Sequence, residues 1–138
     1  MFLVDTNVVS ELRRPHLADP RLLEWANSVH ADELYMSVVT AMELEVGVLR
    51  IERRDARQGA TLRTWLDSLL PNFDGRILNV DMRTALRCAR LHVPDRRPDR
   101  DALIAATAMA HGLTIATRNT SDFAPMGVAF INPWAPRP

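Results

Sequence analysis

The strongest constraint on this chain is a set of short apolar runs that do not alternate with polar residues. Phe2-Leu3-Val4, Leu34 to Ser37, Arg76 to Val80, Leu113 to Thr117 and Val128 to Ile131 each read as a strand. Stretches with helical spacing separate them. A strand that is apolar at consecutive positions is buried on both faces, as parallel strands covered by crossover helices are. The order strand, helix, strand therefore predicts an α/β fold with a mostly parallel, about five-stranded sheet between two helical layers. In such sheets ligands bind outside the carboxyl ends of the strands.

The helix boundaries follow from local chemistry. A helix through Val8, Val9 and Leu12 is stopped by Pro15. Asp19-Pro20 is an N-cap followed by proline at the first helical position, with Leu22, Leu23 and Trp25 turned inward. Another helix is expected from about Val39 to Arg54. The next carries Leu62, Trp65, Leu66, Leu69 and Leu70 as one stripe and is expected to end at Pro71. Asp81 can cap a helix through Ala85, Leu86 and Ala89. Asp99 is expected to cap an alanine-rich helix to His111, with Gly112 closing it.

Composition narrows the function. The 138 residues suit one domain, 1–138. Net charge is zero, which argues against a uniformly basic nucleic-acid binder but permits a locally basic groove. All 17 basic residues are Arg, so Schiff-base chemistry, Walker-type phosphate loops and receiver domains are excluded for want of a Lys. The lone Cys88 forms no internal disulfide and reads as core. His92, four residues on, makes at most half of a zinc set. No signal peptide or spanning segment is read, so a cytoplasmic location without membrane contact is expected.

Most of the acidic residues have plain roles: Asp19, Asp81 and Asp99 as caps, Glu52 and Asp55 as solvated helix charges. Four stand apart. Asp5 ends the first strand, where it also suits a helix N-cap, and is followed by Thr6-Asn7, which can orient it. Glu43 falls on the side of its helix opposite Glu45 and Glu52, at about 100° per residue. If those two mark solvent, Glu43 points inward beside Gly47; a structural ion pair with an Arg is the plainer alternative. Asp101 lines up with Ile104, Ala105 and Ala108, although an acid in a helix's first turn also gains from the dipole. Asp122 follows the fourth strand in Thr117-Arg118-Asn119-Thr120-Ser121-Asp122-Phe123, where a plain turn residue also fits.

If the four converge, like charges ~4 Å apart repel by roughly 4 kcal/mol at an effective dielectric of 20. Four carboxylates make six pairs, enough to rival a folding stability of about 5–15 kcal/mol. Either the carboxyl pKa values rise or a divalent cation binds. An all-oxygen donor set selects Mg²⁺ or Mn²⁺ over zinc. Such an ion suits phosphodiester hydrolysis without a nucleophilic side chain.

With these residues in view, the chain resembles the PIN-domain endoribonuclease toxins, the VapC type of toxin–antitoxin systems and, within it, the FitB-like branch. The resemblance rests on Phe2-Leu3-Val4-Asp5-Thr6-Asn7-Val8-Val9-Ser10-Glu11, on Thr40-Ala41-Met42-Glu43-Leu44 with Gly47, on Asp101-Ala102-Leu103-Ile104-Ala105-Ala106-Thr107-Ala108, on Ala116-Thr117-Arg118-Asn119-Thr120-Ser121-Asp122-Phe123, and on Ile131-Asn132-Pro133-Trp134. These five segments, in order, span nearly the whole chain. The resemblance implies a PIN-like three-layer α/β/α domain and Mg²⁺-dependent RNA cleavage, with Mn²⁺ as a substitute. It maps the metal-binding and catalytic acids onto Asp5, Glu43, Asp101 and Asp122, with Asp5 and Asp101 as direct ligands. Thr6, Asn7, Thr117 and Asn119 support them, and Asn119 competes with Asp122 for the fourth position. It further implies a homodimer, a cognate antitoxin whose tail occupies the cleft, and assembly of both on operator DNA.

RNA approaching a carboxylate cluster on a neutral protein needs Arg for attraction. Arg50, Arg53, Arg54 and Arg57 form one group; Arg96, Arg97 and Arg100 form another. Arg50 is the expected RNA or antitoxin contact, since it shares Glu43's side of the helix. Two other readings compete. A catalytically decayed PIN-like protein that only binds an antitoxin would not bind metal. A haloacid-dehalogenase-like phosphatase needs an Asp-x-Asp pair, and Thr6-Asn7 follow Asp5 instead.

Overall fold

The computed structural model describes residues 1–136; Arg137 and Pro138, the end of the expected 1–138 domain, lie outside the described residues. The chain runs β1 (Phe2–Val4), α1 (Thr6–Leu12), a 3₁₀ turn opened by Pro15, α2 (Pro20–Ser28), β2 (Leu34–Ser37), α3 (Val38–Arg54), α4 (Ala56–Asn72), β3 (Ile77–Leu78), α5 (Met82–Leu91), α6 (Asp99–His111), β4 (Thr114–Ala116), α7 (Thr120–Phe123) and β5 (Phe130–Ile131). The strands form one sheet in the order β3-β2-β1-β4-β5, and every pairing among the described residues is parallel.

Consecutive side chains on a strand point to opposite faces. Leu3 and Ile115 pack into one buried cluster with Ala102, Ile104, Ala105 and Phe123. Val4 and Ala116 pack into the other, with Val8, Leu22, Met36, Val48 and Leu66. Two cores on two faces explain why the strands read as unbroken apolar runs. They also make the three-layer α/β/α architecture that the sequence predicts.

The strand order reverses at β1. Chain leaving β1 goes to β2 and β3 on one side, and β4 and β5 return on the other. The crevice between the carboxyl ends of β1 and β4 is thus the topological switch point, where open α/β sheets bind ligands. Asp5 follows β1 there, and Thr117 follows β4.

Several local readings change. Pro71 does not end α4; the helix runs through it to Asn72, with Pro71 in the last turn. Asp99 is the first residue of α6 rather than its cap, because Arg96 and His92 draw its carboxylate away. Asp55 is no mere solvated charge: its carboxylate accepts from the backbone N–H groups of Arg57 and Gln58 and starts α4. Glu52, with Glu45, binds Arg63 of α4, so this side of α3 meets a neighbouring helix while staying partly in water. The two helices touch closely at Gly59, where a Cβ would lie 2.5 Å from the Glu52 Cα. Strands β3, β4 and β5 are shorter than their apolar runs. Gly112 closes α6 in the left-handed conformation, φ 65°, as expected. Cys88 is buried, and burial pushes its thiol pKa up.

Candidate active site

The site starts with Asp5. Its extended backbone, φ −79° and ψ 162°, ends β1 and begins α1, and its Oδ1 accepts from the Thr6 backbone N–H at 2.8 Å. The residue is only 4% exposed. A nearly buried carboxylate is costly unless donors satisfy it. The Thr117 hydroxyl donates to Oδ2 at 2.7 Å, and the Asn7 amide reaches the same oxygen at 3.4 Å. The N-cap role and the site role of Asp5 therefore coexist on different oxygens.

Thr117 is itself fully buried and held in turn, because its hydroxyl accepts from the Asn119 backbone N–H at 2.9 Å. Asn119 stands at the N-terminal boundary of α7, whose first turn carries the exposed Asp122. Asn7 also ties the β4 side down, its Oδ1 accepting from the Arg118 backbone N–H at 3.3 Å. Thr6 divides its work: its backbone serves Asp5, while its hydroxyl donates to Glu43 Oε1 at 2.9 Å. Glu43 is half-buried, and its second oxygen lies 3.8 Å from the guanidinium of Arg100. The expectation of an Arg partner and that of an inward carboxylate are thus both met at Glu43.

Asp101, one residue after Arg100, is partly buried in the first turn of α6. Burial, then the negative charges of Asp5, Asp122 and Glu43, push its pKa up to about 6. Asp101 is therefore within electrostatic reach of the other three predicted acids. Among the described residues, no group of three or more His, Cys, Asp or Glu side chains is placed, as it stands, to hold a metal ion. What the arrangement presents is an Asp101 carboxyl raised by the charges of three other acids, with Arg100 the one cation paired with any of the four among the described residues. That donor set fits a hard divalent cation.

Arg50 is exposed and lies on the Glu43 side of α3, about 10 Å further along the axis at 1.5 Å per residue. It is not part of the cluster. Two features escape sequence reasoning. A cavity of about 300 Å³ reaches one of the acids, Glu43, and is lined also by Thr6, Arg13, Gly47, Leu62 and Trp65. In addition, Trp134 is buried where its indole N–H donates to Glu11 Oε2 at 3.0 Å, and the Arg118 guanidinium lies 4.6 Å from its ring centre. Neither could be seen without the α3–α4 packing and the return of the C-terminal segment to α1.

The PIN domain model matches residues 2–127. Toxin FitB of Neisseria gonorrhoeae is 37% identical over 140 residues, covering 97% of this chain and 99% of that protein. VapC ribonuclease Y4jK of Sinorhizobium fredii is 34% identical, covering 99% of each. Among solved structures, FitAB bound to an IR36 DNA fragment contains a chain that superposes with a TM-score of 0.90 at 34% identity, over 99% of this chain and 98% of that one. Likeness of this extent, carried on the same five-stranded parallel sheet, assigns the chain to the PIN domain family.

Proposed function

We propose that this protein is a divalent-metal-dependent endoribonuclease and the toxin of a toxin–antitoxin pair. The observation that carries the reading is the raised Asp101 carboxyl beside Asp5, Glu43 and Asp122, four acids at the sheet's switch point with a single paired Arg among the described residues. The relatives' names, a toxin and a ribonuclease, support the same activity.

In this reading residues 1–138 are one PIN domain. Asp5 and Asp101 hold the ion, taken as Mg²⁺ with Mn²⁺ as substitute. Glu43 and Asp122 complete the negative charge and orient the attacking water. Thr117 and Asn7 fix Asp5, Thr6 fixes Glu43, and Asn119 fixes Thr117, so the ligands are held in place before substrate arrives. When bound, the ion supplies an activated water and offsets charge building on the phosphate and the leaving oxygen. Arg100 balances Glu43 until the cation does so.

The partners follow the same reasoning. The chain forms a homodimer, its cavity beside Thr6 and Glu43 receives the tail of a cognate antitoxin, and Arg50 contacts RNA or that antitoxin. The joint complex assembles on operator DNA; the DNA-bound FitAB relative supports this. Among the described residues no helix is long and apolar enough to cross a membrane, and the working location is the cytoplasm. Calorimetric titration with Mg²⁺ and Mn²⁺ tests the site. Binding is expected for the native protein and loss of binding for Asp5→Asn and Asp101→Asn. No heat from the native protein would favour the decayed, partner-binding alternative.

A further inference from the structure

Arg118, next to Thr117 at the rim of the acidic site, is a second cation there beside Arg100, and no expectation assigns it a task. Its backbone N–H is fixed on Asn7, the residue whose amide reaches Asp5, and it directly follows Thr117, which holds Asp5. Its guanidinium lies over the ring of Trp134, 4.6 Å from the centre. Trp134 cannot drift: its indole N–H is bound to Glu11, its backbone N–H to the Asn132 side chain at 2.9 Å, and the ring is buried.

Four other arginines are held by carboxylates or carbonyls, and Arg13 lies over the Trp65 ring, 6.0 Å from its centre. Arg63 binds Glu45 and Glu52, Arg96 binds Asp99, Arg100 faces Glu43, and Arg76 donates to the main-chain carbonyls of Ala31, Leu34 and Asn72. Among the described residues no carboxylate pairs with Arg118, and its side chain is exposed. Its guanidinium rests on a fixed indole instead of on a carboxylate. A stacked guanidinium uses its π-face and keeps its in-plane N–H donors free, the fork that matches phosphate oxygens.

We propose that Arg118, held on Trp134, binds a backbone phosphate of single-stranded RNA next to the bond cleaved at the acidic cluster. This rests on the ribonuclease reading above. It adds to the contact expected at Arg50 a second positive group, at the rim of the negatively charged site itself. The contact serves ground state and transition state alike, so its loss raises KM more than it lowers kcat.

The test compares native protein with Arg118→Gln and Arg118→Lys, all free of antitoxin. Affinity for a short labelled single-stranded RNA of mixed sequence is measured in EDTA by fluorescence anisotropy at several salt concentrations, and cleavage kinetics are measured with Mg²⁺. One lost phosphate contact on single-stranded RNA reduces the slope of log affinity against log salt by about 0.7. Arg118→Gln is expected to show that reduction and a several-fold higher KM with kcat little changed, while Arg118→Lys keeps the slope. An unchanged slope and KM in Arg118→Gln, with native protein binding and cleaving RNA, overturns this proposal and leaves the ribonuclease reading standing. The same result with weakened inhibition by antitoxin assigns Arg118 to the protein partner and also overturns it. Native protein that neither binds nor cleaves RNA overturns both.

Discussion

The Thr117 hydroxyl donates to Asp5 Oδ2 at 2.7 Å across the gap between β4 and β1, so the two strands flanking the switch point are joined through the site's central acid. The bond spans 112 positions in sequence. It aims a buried carboxylate that otherwise rests on one backbone N–H and one long amide contact.

Thr117→Val removes that donor at nearly constant shape. Loss of a group that orients a metal ligand typically costs 10–100-fold in metal affinity or activity, roughly. RNA cleavage by Thr117→Val is expected to fall by about that factor, with Thr117→Ser recovering most of it. Single-turnover cleavage checks this, and equal rates for Val and native protein would remove Thr117 from the site.

Asp101 gives the site a pH dependence. An acid whose folded-state pKa lies above its unfolded value holds its proton more tightly when folded, so its contribution to stability is complete at low pH. That contribution is lost as pH rises from the ordinary aspartate value of 3.8 through about 6. Without metal, Asp101→Asn should be more stable than native protein at neutral pH and not at pH 4. A divalent ion competes with the same proton, so Mg²⁺ affinity should rise with pH up to about 6 and then level. Denaturant melts with and without Mg²⁺ measure both.

Gly59→Ala sets two effects against each other. Helix propensity favours Ala by about 0.5–1 kcal/mol. The new Cβ, however, would lie 2.5 Å from the Glu52 Cα, and backbone of a packed helix cannot yield as a side chain can. Overpacking of this kind costs roughly 1–3 kcal/mol. The clash wins, and a lower melting temperature is expected; a higher one would show that α3 and α4 separate freely.

Arg63→Ala should loosen the same helical pair by freeing Glu45 and Glu52 at once. The groups are partly solvated, so the melting-temperature loss should be modest at low salt and shrink at high salt. A loss independent of salt would mean that packing of the Arg63 stem, rather than its charge, joins the helices.

Much of this architecture was legible beforehand. The double-sided apolar strands, the Asp19-Pro20 and Asp81 helix starts, and the Gly112 stop depend on neighbours in sequence, where local chemistry decides. Asp5 and Asp101 were legible because strand ends and buried helix faces are unusual places for carboxylates. What stayed hidden depends on partners far away in sequence. Glu45 and Glu52 look like solvent markers until Arg63 arrives from the next helix. Asp99 looks like a cap until Arg96 and His92 take its oxygens. The contact of Arg118 with Trp134 joins residues 16 apart through the C-terminal return.

The central claim is tested most directly by incubating purified, antitoxin-free protein with total cellular RNA in Mg²⁺, Mn²⁺ or EDTA, with Asp5→Ala as control. Discrete fragments are expected with either metal, none with EDTA and none with Asp5→Ala. Intact RNA in every lane, or equal cleavage by Asp5→Ala, would contradict the account.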